Sequence, residues 1–181
     1  MSITVRVIQD RDPMSPRDFD NMGTMACWHR RYDLGDVQPK ISPDEWLKAN
    51  APKGSIILTL YLYDHSGITM NTTGFPWWDT EAVGVIVATP DKIRSYMDKK
   101  RITEKVREAA TKILASEVAT YNSYLAGNVW GFSIEGIDDE DGSTVGDSCF
   151  GFYGDDLYGM LGHVDSKYHA ALREAWYARG R

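Results

Sequence analysis

Ser55-Ile56-Ile57-Leu58-Thr59-Leu60-Tyr61-Leu62-Tyr63 is the stretch that decides the fold class. Leu58, Leu60 and Leu62 fall on one side of an extended chain, and Thr59, Tyr61 and Tyr63 on the other, which is the two-residue period of a strand. Asp64-His65-Ser66-Gly67 then has turn chemistry, and residues 68–72 return beside the strand. Residues 82–88 are continuously apolar, the pattern of a central strand. Short turns between neighbouring strands favour antiparallel pairing.

Outward from this hairpin the chain alternates strand and helix signals. Residues 103–125 lack glycine and proline, and Val106, Ala110, Ile113, Leu114, Val118, Tyr121 and Leu125 form one apolar stripe, so a helix is expected there. Gly127 and Asn128 stop it. Thr89-Pro90-Asp91 opens another helix. Ser42-Pro43-Asp44-Glu45 is a capping box, which predicts a short helix over 43–49 with Trp46 and Leu47 facing inward. Ser15-Pro16-Arg17-Asp18 has the same start chemistry, with Gly23 as its end, and residues 27–32 read as a helical turn or a loop. Strands are expected over 2–8, 129–135 and 148–153, with an exposed acidic loop at 136–146. Leu157, Leu161, Val164, Tyr168, Leu172 and Trp176 recur at helical spacing and predict one terminal helix, weakened by Gly159 and Gly162. The expected fold is α+β: an antiparallel or mixed β-sheet with helices packed against it, as a single domain over 1–181.

The chain has 181 residues, 43% of them hydrophobic, and a formal net charge of −6. That balance argues against a protein that binds nucleic acid mainly through phosphates. Two cysteines, Cys27 and Cys149, do not make a disulfide framework. The opening residues MSITVRVIQD lack a basic region followed by an apolar run, and the longest apolar stretch is too short to span a bilayer. The expectation is a cytoplasmic chain with no membrane role and no cofactor.

Charge is unevenly spread. Residues 92–107 carry Lys92, Arg94, Lys99, Lys100, Arg101, Lys105 and Arg107 against Asp98 and Glu104, whereas residues 135–156 carry eight acids and no Lys or Arg. Lys99, Lys100, Arg101 and Lys105 are candidate contacts for an acidic protein or for phosphates. Trp77 and Trp78, in the aromatic run Phe75-Pro76-Trp77-Trp78, are candidate anchors at an interface. Catalytic signals are weaker. Cys27 and His29 with Asp64 and His65 have the right chemistry for a metal site, and Cys27 or Cys149 for a thiol activated by His29 or His65 with Asp64 orienting the imidazole, but the spacing of a known motif is absent. Asp79 with Glu81 and Asp155 with Asp156 are adjacent carboxylates; the second pair suits a helix start. The acids at 138–141 and Asp147 depart from the order of a calcium loop. No glycine pattern makes a phosphate cradle.

Several runs resemble a group of small, poorly characterised proteins encoded by tailed bacteriophages and prophages. They are residues 15–25 (SPRDFDNMGTM), residues 27–36 (CWHRRYDLGD), Leu62-Tyr63-Asp64-His65-Ser66-Gly67, Arg101-Ile102-Thr103 and Cys149-Phe150-Gly151-Phe152-Tyr153-Gly154. The resemblance implies a phage accessory protein acting in the host cytoplasm and carries over no catalytic residue. With the charge pattern, it favours a non-enzymatic protein that binds a host macromolecule, a host protein in preference to nucleic acid, as a modulator of host defence, with homo-oligomers left open. The competing expectation is a small metal-dependent hydrolase or nuclease built on Cys27, His29, Asp64 and His65.

Overall fold

The computed structural model describes residues 3–65, 67–74, 81–137 and 142–179. In chain order they form β1 (Thr4–Gln9), β2 (Thr24–Cys27), α1 (Pro43–Asn50), β3 (Ile56–Asp64), β4 (Ile68–Asn71), β5 (Glu81–Ala88), α2 (Pro90–Met97), α3 (Glu104–Leu125), β6 (Val129–Ile137), β7 (Thr144–Tyr153), α4 (Leu157–Gly162) and α5 (His169–Ala178). The class is α+β, with antiparallel sheets and helices packed against them. The chain divides into two compact units: one takes the chain up to Met14 and from Gly127 onward, the other takes Ser15–Ala126. No helix among the described residues is long and apolar enough to cross a membrane.

In the Ser15–Ala126 unit the strand order is β2-β5-β3-β4, so β5 is interior, as its unbroken apolar run predicts. Ile56, Leu60 and Leu62 of β3 pack with Met25, Ile86 and the α3 stripe Ala110, Leu114, Val118 and Tyr121 in one buried core. Trp46 of α1 packs with Ala26 and Val87 in a second cluster, so helices cover both faces of this sheet. The capping box of α1 is complete: Ser42 Oγ accepts the Glu45 amide at 3.4 Å, and Glu45 accepts the Ser42 amide at 3.1 Å.

The helix expected after Ser15 is one 3₁₀ turn, Pro16–Asp18. The cap chemistry is present, but packing overrides continuation. The Asn21 side chain donates to the Pro16 and Phe19 carbonyls, and the chain then enters β2, with Met25, Ala26 and Cys27 buried. Gly23 is required by close approach, since a Cβ there would lie 2.5 Å from Leu114 and 2.6 Å from Ile86.

In the other unit β6 lies between β1 and β7, both antiparallel to it. Phe132, Ile134 and Phe152 pack against Leu157, Met160, Leu161, Leu172 and Trp176 of α4 and α5. The single terminal helix expected from the spacing is three pieces: α4, a 3₁₀ turn (Ser166–Tyr168) and α5. The Asp165 side chain accepts the Lys167 amide at 3.0 Å and starts the chain afresh after Gly162. Asp156 caps α4 by accepting the Gly159 amide at 2.9 Å, consistent with the helix-start reading of Asp155-Asp156. Asp155 pairs with Arg179, whose guanidinium stacks 3.4 Å from the Trp176 ring. β7 begins at Thr144, so residues 144–146, expected in the loop, extend the strand; residues 138–141 lie outside the described residues.

Candidate functional site

The four candidate catalytic or metal-ligating residues have separate surroundings. Cys27 ends β2 and is wholly buried. Burial pushes its thiol up to about 12; the charge of Asp36 adds to this and that of Arg17 opposes it. A thiol in that state supplies almost no thiolate at neutral pH, so it is a poor nucleophile and a poor ligand. His29 Nδ1 accepts the backbone amides of Arg31 and Tyr32, each at 3.2 Å. Asp64 receives Arg31 Nη2 at 2.5 Å and the Tyr32 hydroxyl at 3.2 Å. His65 is exposed, and its ring tilts against Tyr63 with centroids 5.0 Å apart. Among the described residues no three His, Cys, Asp or Glu side chains gather as a metal centre. Among the described residues, His29 and Asp64 are linked through Arg31 and Tyr32.

The environment of the thiols gives a direct expectation. A disulfide-exchange reagent at pH 8 labels one cysteine of the native chain, the half-exposed Cys149, and reaches Cys27 only after denaturant is added. Peptide mapping of the labelled chain checks the assignment. Native labelling of Cys27 at the rate of Cys149 would contradict the buried, protonated thiol.

The strongest polar constellation is one the sequence reading passed over. Arg17 Nε and Nη2 donate to the two oxygens of Asp36 at 2.8 and 2.7 Å, Nη1 donates to Glu117 at 3.2 Å, and Nη2 also donates to the Gly23 carbonyl at 2.7 Å. Glu117 in turn accepts the amides of Met22 at 2.7 Å and Gly23 at 3.1 Å, and Asp36 accepts that of Met25 at 2.7 Å. The Arg17 side chain is 5% exposed. Burial opposes its charge, but the hydrogen bonds and charges of Asp36 and then Glu117 outweigh burial and raise its pKa. Nearby, the Gly35 amide donates to the Tyr121 hydroxyl at 3.0 Å; burial, the dominant effect, raises the pKa of that phenol. Every contact here ties the 15–37 segment to α3 or to itself, so its chemistry is that of a lock.

Of the cations between 92 and 107, three are tied down: Lys92 pairs with Asp20, Arg94 with Asp91, and Arg107 Nη2 donates to the Gly54 carbonyl. Lys99, Lys100, Arg101 and Lys105 differ. All four are exposed, three in the connection between α2 and α3 and one in the first turn of α3. Among the described residues none of their side chains has an ion pair or hydrogen bond. Trp77 and Trp78 lie outside the described residues.

Two depressions in the Ser15–Ala126 unit adjoin these features. One, about 400 Å³, lies over the lock, with Phe19, Tyr96 and Ile113 among its apolar lining and Glu117 at its wall. The other, about 440 Å³, is lined by Trp28, His29, Arg30, Arg31 and Glu81. Compared with family models, with curated proteins and with solved structures, the chain matches none.

Proposed function

We propose that this chain is a non-enzymatic binding protein whose basic corner between α2 and α3 docks on an acidic surface of a protein partner. One observation carries the reading: Lys99, Lys100, Arg101 and Lys105 are exposed and uncompensated among the described residues, while neighbouring cations are paired. Uncompensated surface charge of one sign steers association and selects a partner of the other sign. A net charge of −6 for the whole chain disfavours free nucleic acid and favours a partner whose acidity is local. The resemblance to phage and prophage proteins supplies the setting, an accessory protein acting on a host protein in the cytoplasm of an infected cell.

The test is affinity capture from a bacterial host lysate with the native chain and with a variant carrying Lys99→Glu, Lys100→Glu, Arg101→Glu and Lys105→Glu. The native chain captures a reproducible protein, and the variant weakens that association by about tenfold or more at low salt. Capture unchanged by charge reversal would overturn the reading. So would metal-dependent turnover that His65→Ala abolishes, because that result belongs to the hydrolase.

A further inference from the structure

The depression lined by Trp28, His29, Arg30, Arg31 and Glu81 is built around one imidazole. His29 Nδ1 accepts two backbone amides, from Arg31 and Tyr32. A ring nitrogen that accepts carries no proton, so the neutral ring bears its proton on Nε2 and offers that N–H as a donor. The ring is held in place: Tyr32 stacks on it with centroids 4.9 Å apart and planes 8° apart. The Tyr32 hydroxyl is anchored on Asp64. Arg31 is oriented by the same carboxylate, which takes its Nη2, and its guanidinium lies 5.5 Å over the Tyr32 ring. Its Nε and Nη1 have no bond among the described residues, and Arg30 is exposed with no described partner.

Donors therefore outnumber acceptors at this wall. Among the described residues, His29 offers one N–H, Arg31 the N–H groups that Asp64 does not take and Arg30 a whole guanidinium; the carboxylates that oppose them are Glu81 in the lining and Asp64 through its pair with Arg31. The Trp28 indole N–H is spent on the Ile41 carbonyl at 2.7 Å, which leaves its ring as a flat apolar side. Guanidinium groups beside a fixed N–H donor match the in-plane oxygens of a carboxylate or a phosphoryl group.

We infer that this depression is an oxyanion site, in which His29 Nε2–H, Arg30 and Arg31 hold a phosphoryl or carboxylate group beside Trp28. Glu81 opposes the bound charge and keeps the empty site from taking every anion in solution. The site is separate from the α2–α3 corner and stands or falls independently of it.

The test uses the ¹⁵N-labelled full chain at constant ionic strength, titrated in parallel with inorganic phosphate, with acetate and with sodium chloride. Phosphate or acetate is expected to shift the amides of Arg30, Arg31 and Tyr32 to saturation, and chloride to leave them in place. Saturation by phosphate alone marks a phosphoryl ligand; saturation by acetate marks a carboxylate. Arg30→Ala, on an exposed side chain, weakens the apparent Kd by about fivefold, and Glu81→Gln tightens it by about threefold. Equal shifts with chloride, or an apparent Kd unchanged in both variants, would overturn the assignment. A long-range ¹⁵N spectrum of the imidazole that places the proton on Nδ1 would do the same without any ligand.

Discussion

Arg17→Ala lowers the stability of the Ser15–Ala126 unit by about 3–5 kcal/mol, the usual cost of removing one partner from a buried charge pair. The magnitude follows from what the missing guanidinium leaves behind. Glu117, whose side chain is 9% exposed, and Asp36 would face each other without a cation, and the Gly23 carbonyl would lose a donor. Neither carboxylate can turn to water without releasing the backbone amides of Met22, Gly23 and Met25. Arg17→Lys recovers only part of the loss, because one ammonium cannot span both oxygens of Asp36 and reach Glu117 as the planar fork does. Glu117→Gln is milder than Arg17→Ala, since its side-chain carbonyl still accepts the Met22 amide. Urea denaturation of the three variants gives the ordering directly. A change below about 0.5 kcal/mol for Arg17→Ala, the level of an exposed ion pair, would show that the lock is not buried in solution.

The elements that could be read from the chain are those whose burial repeats along it. β3 shows its period because Ile56, Leu60 and Leu62 are buried in the core shared with α3, whereas Ile57 is exposed and Thr59, Tyr61 and Tyr63 are half-buried, and α3 shows its stripe over 22 residues. β2 could not be read in this way. Thr24-Met25-Ala26-Cys27 is only four residues long, three of them are buried, and alternation is lost. It exists as a strand because β5 pairs with it and because the amide of Cys27 reaches the Val37 carbonyl at 3.0 Å. The Ser15 cap signal was locally sound and globally outweighed, since continuing the helix would remove Gly23 from its place against Leu114 and Ile86. At the other end, Val164 keeps helical spacing and is buried, yet it sits in the turn between α4 and the 3₁₀ turn. Spacing records which side chains reach the core and is silent about the backbone between them.

The same physics separates the legible from the illegible side chains at the candidate sites. Cations close together in the chain show themselves as a run, and Lys99, Lys100, Arg101 and Lys105 are all exposed. The lock pairs residues 19 and 100 positions apart, which no local pattern announces. One clue was available: Glu117 stands three residues after Leu114 and four before Tyr121, beside the buried stripe of α3. An acid in that position needs a buried cation or amides. Cys27 and His29 looked like partners because they are two apart, but β2 ends between them, with the thiol in the core and the imidazole in the loop beyond it.

Phe132→Ala is expected to cost about 3–5 kcal/mol, the range for truncating a buried aromatic ring. Phe132 is at the centre of β6, between β1 and β7, and is completely buried. Its ring lies 6.2 Å from that of Phe152 and belongs to the cluster that includes Leu157, Met160, Leu161 and Trp176. A cavity there cannot be filled cheaply, because β6 is fixed on both edges by hydrogen bonds to its neighbours. Phe132→Leu keeps most of the volume and costs about 1–2 kcal/mol by comparison. Phe150 is the internal control. It lies on β7 with its ring over Gly131 and is 48% exposed, so Phe150→Ala removes packing on one side only and costs about 1 kcal/mol or less. Denaturant midpoints, with hydrogen exchange read on the amides of β1, β6 and β7, separate the three variants. If Phe132→Ala and Phe150→Ala shift the midpoint equally, the ring of Phe132 is not enclosed by α4 and α5, and the core assigned to this sheet is wrong.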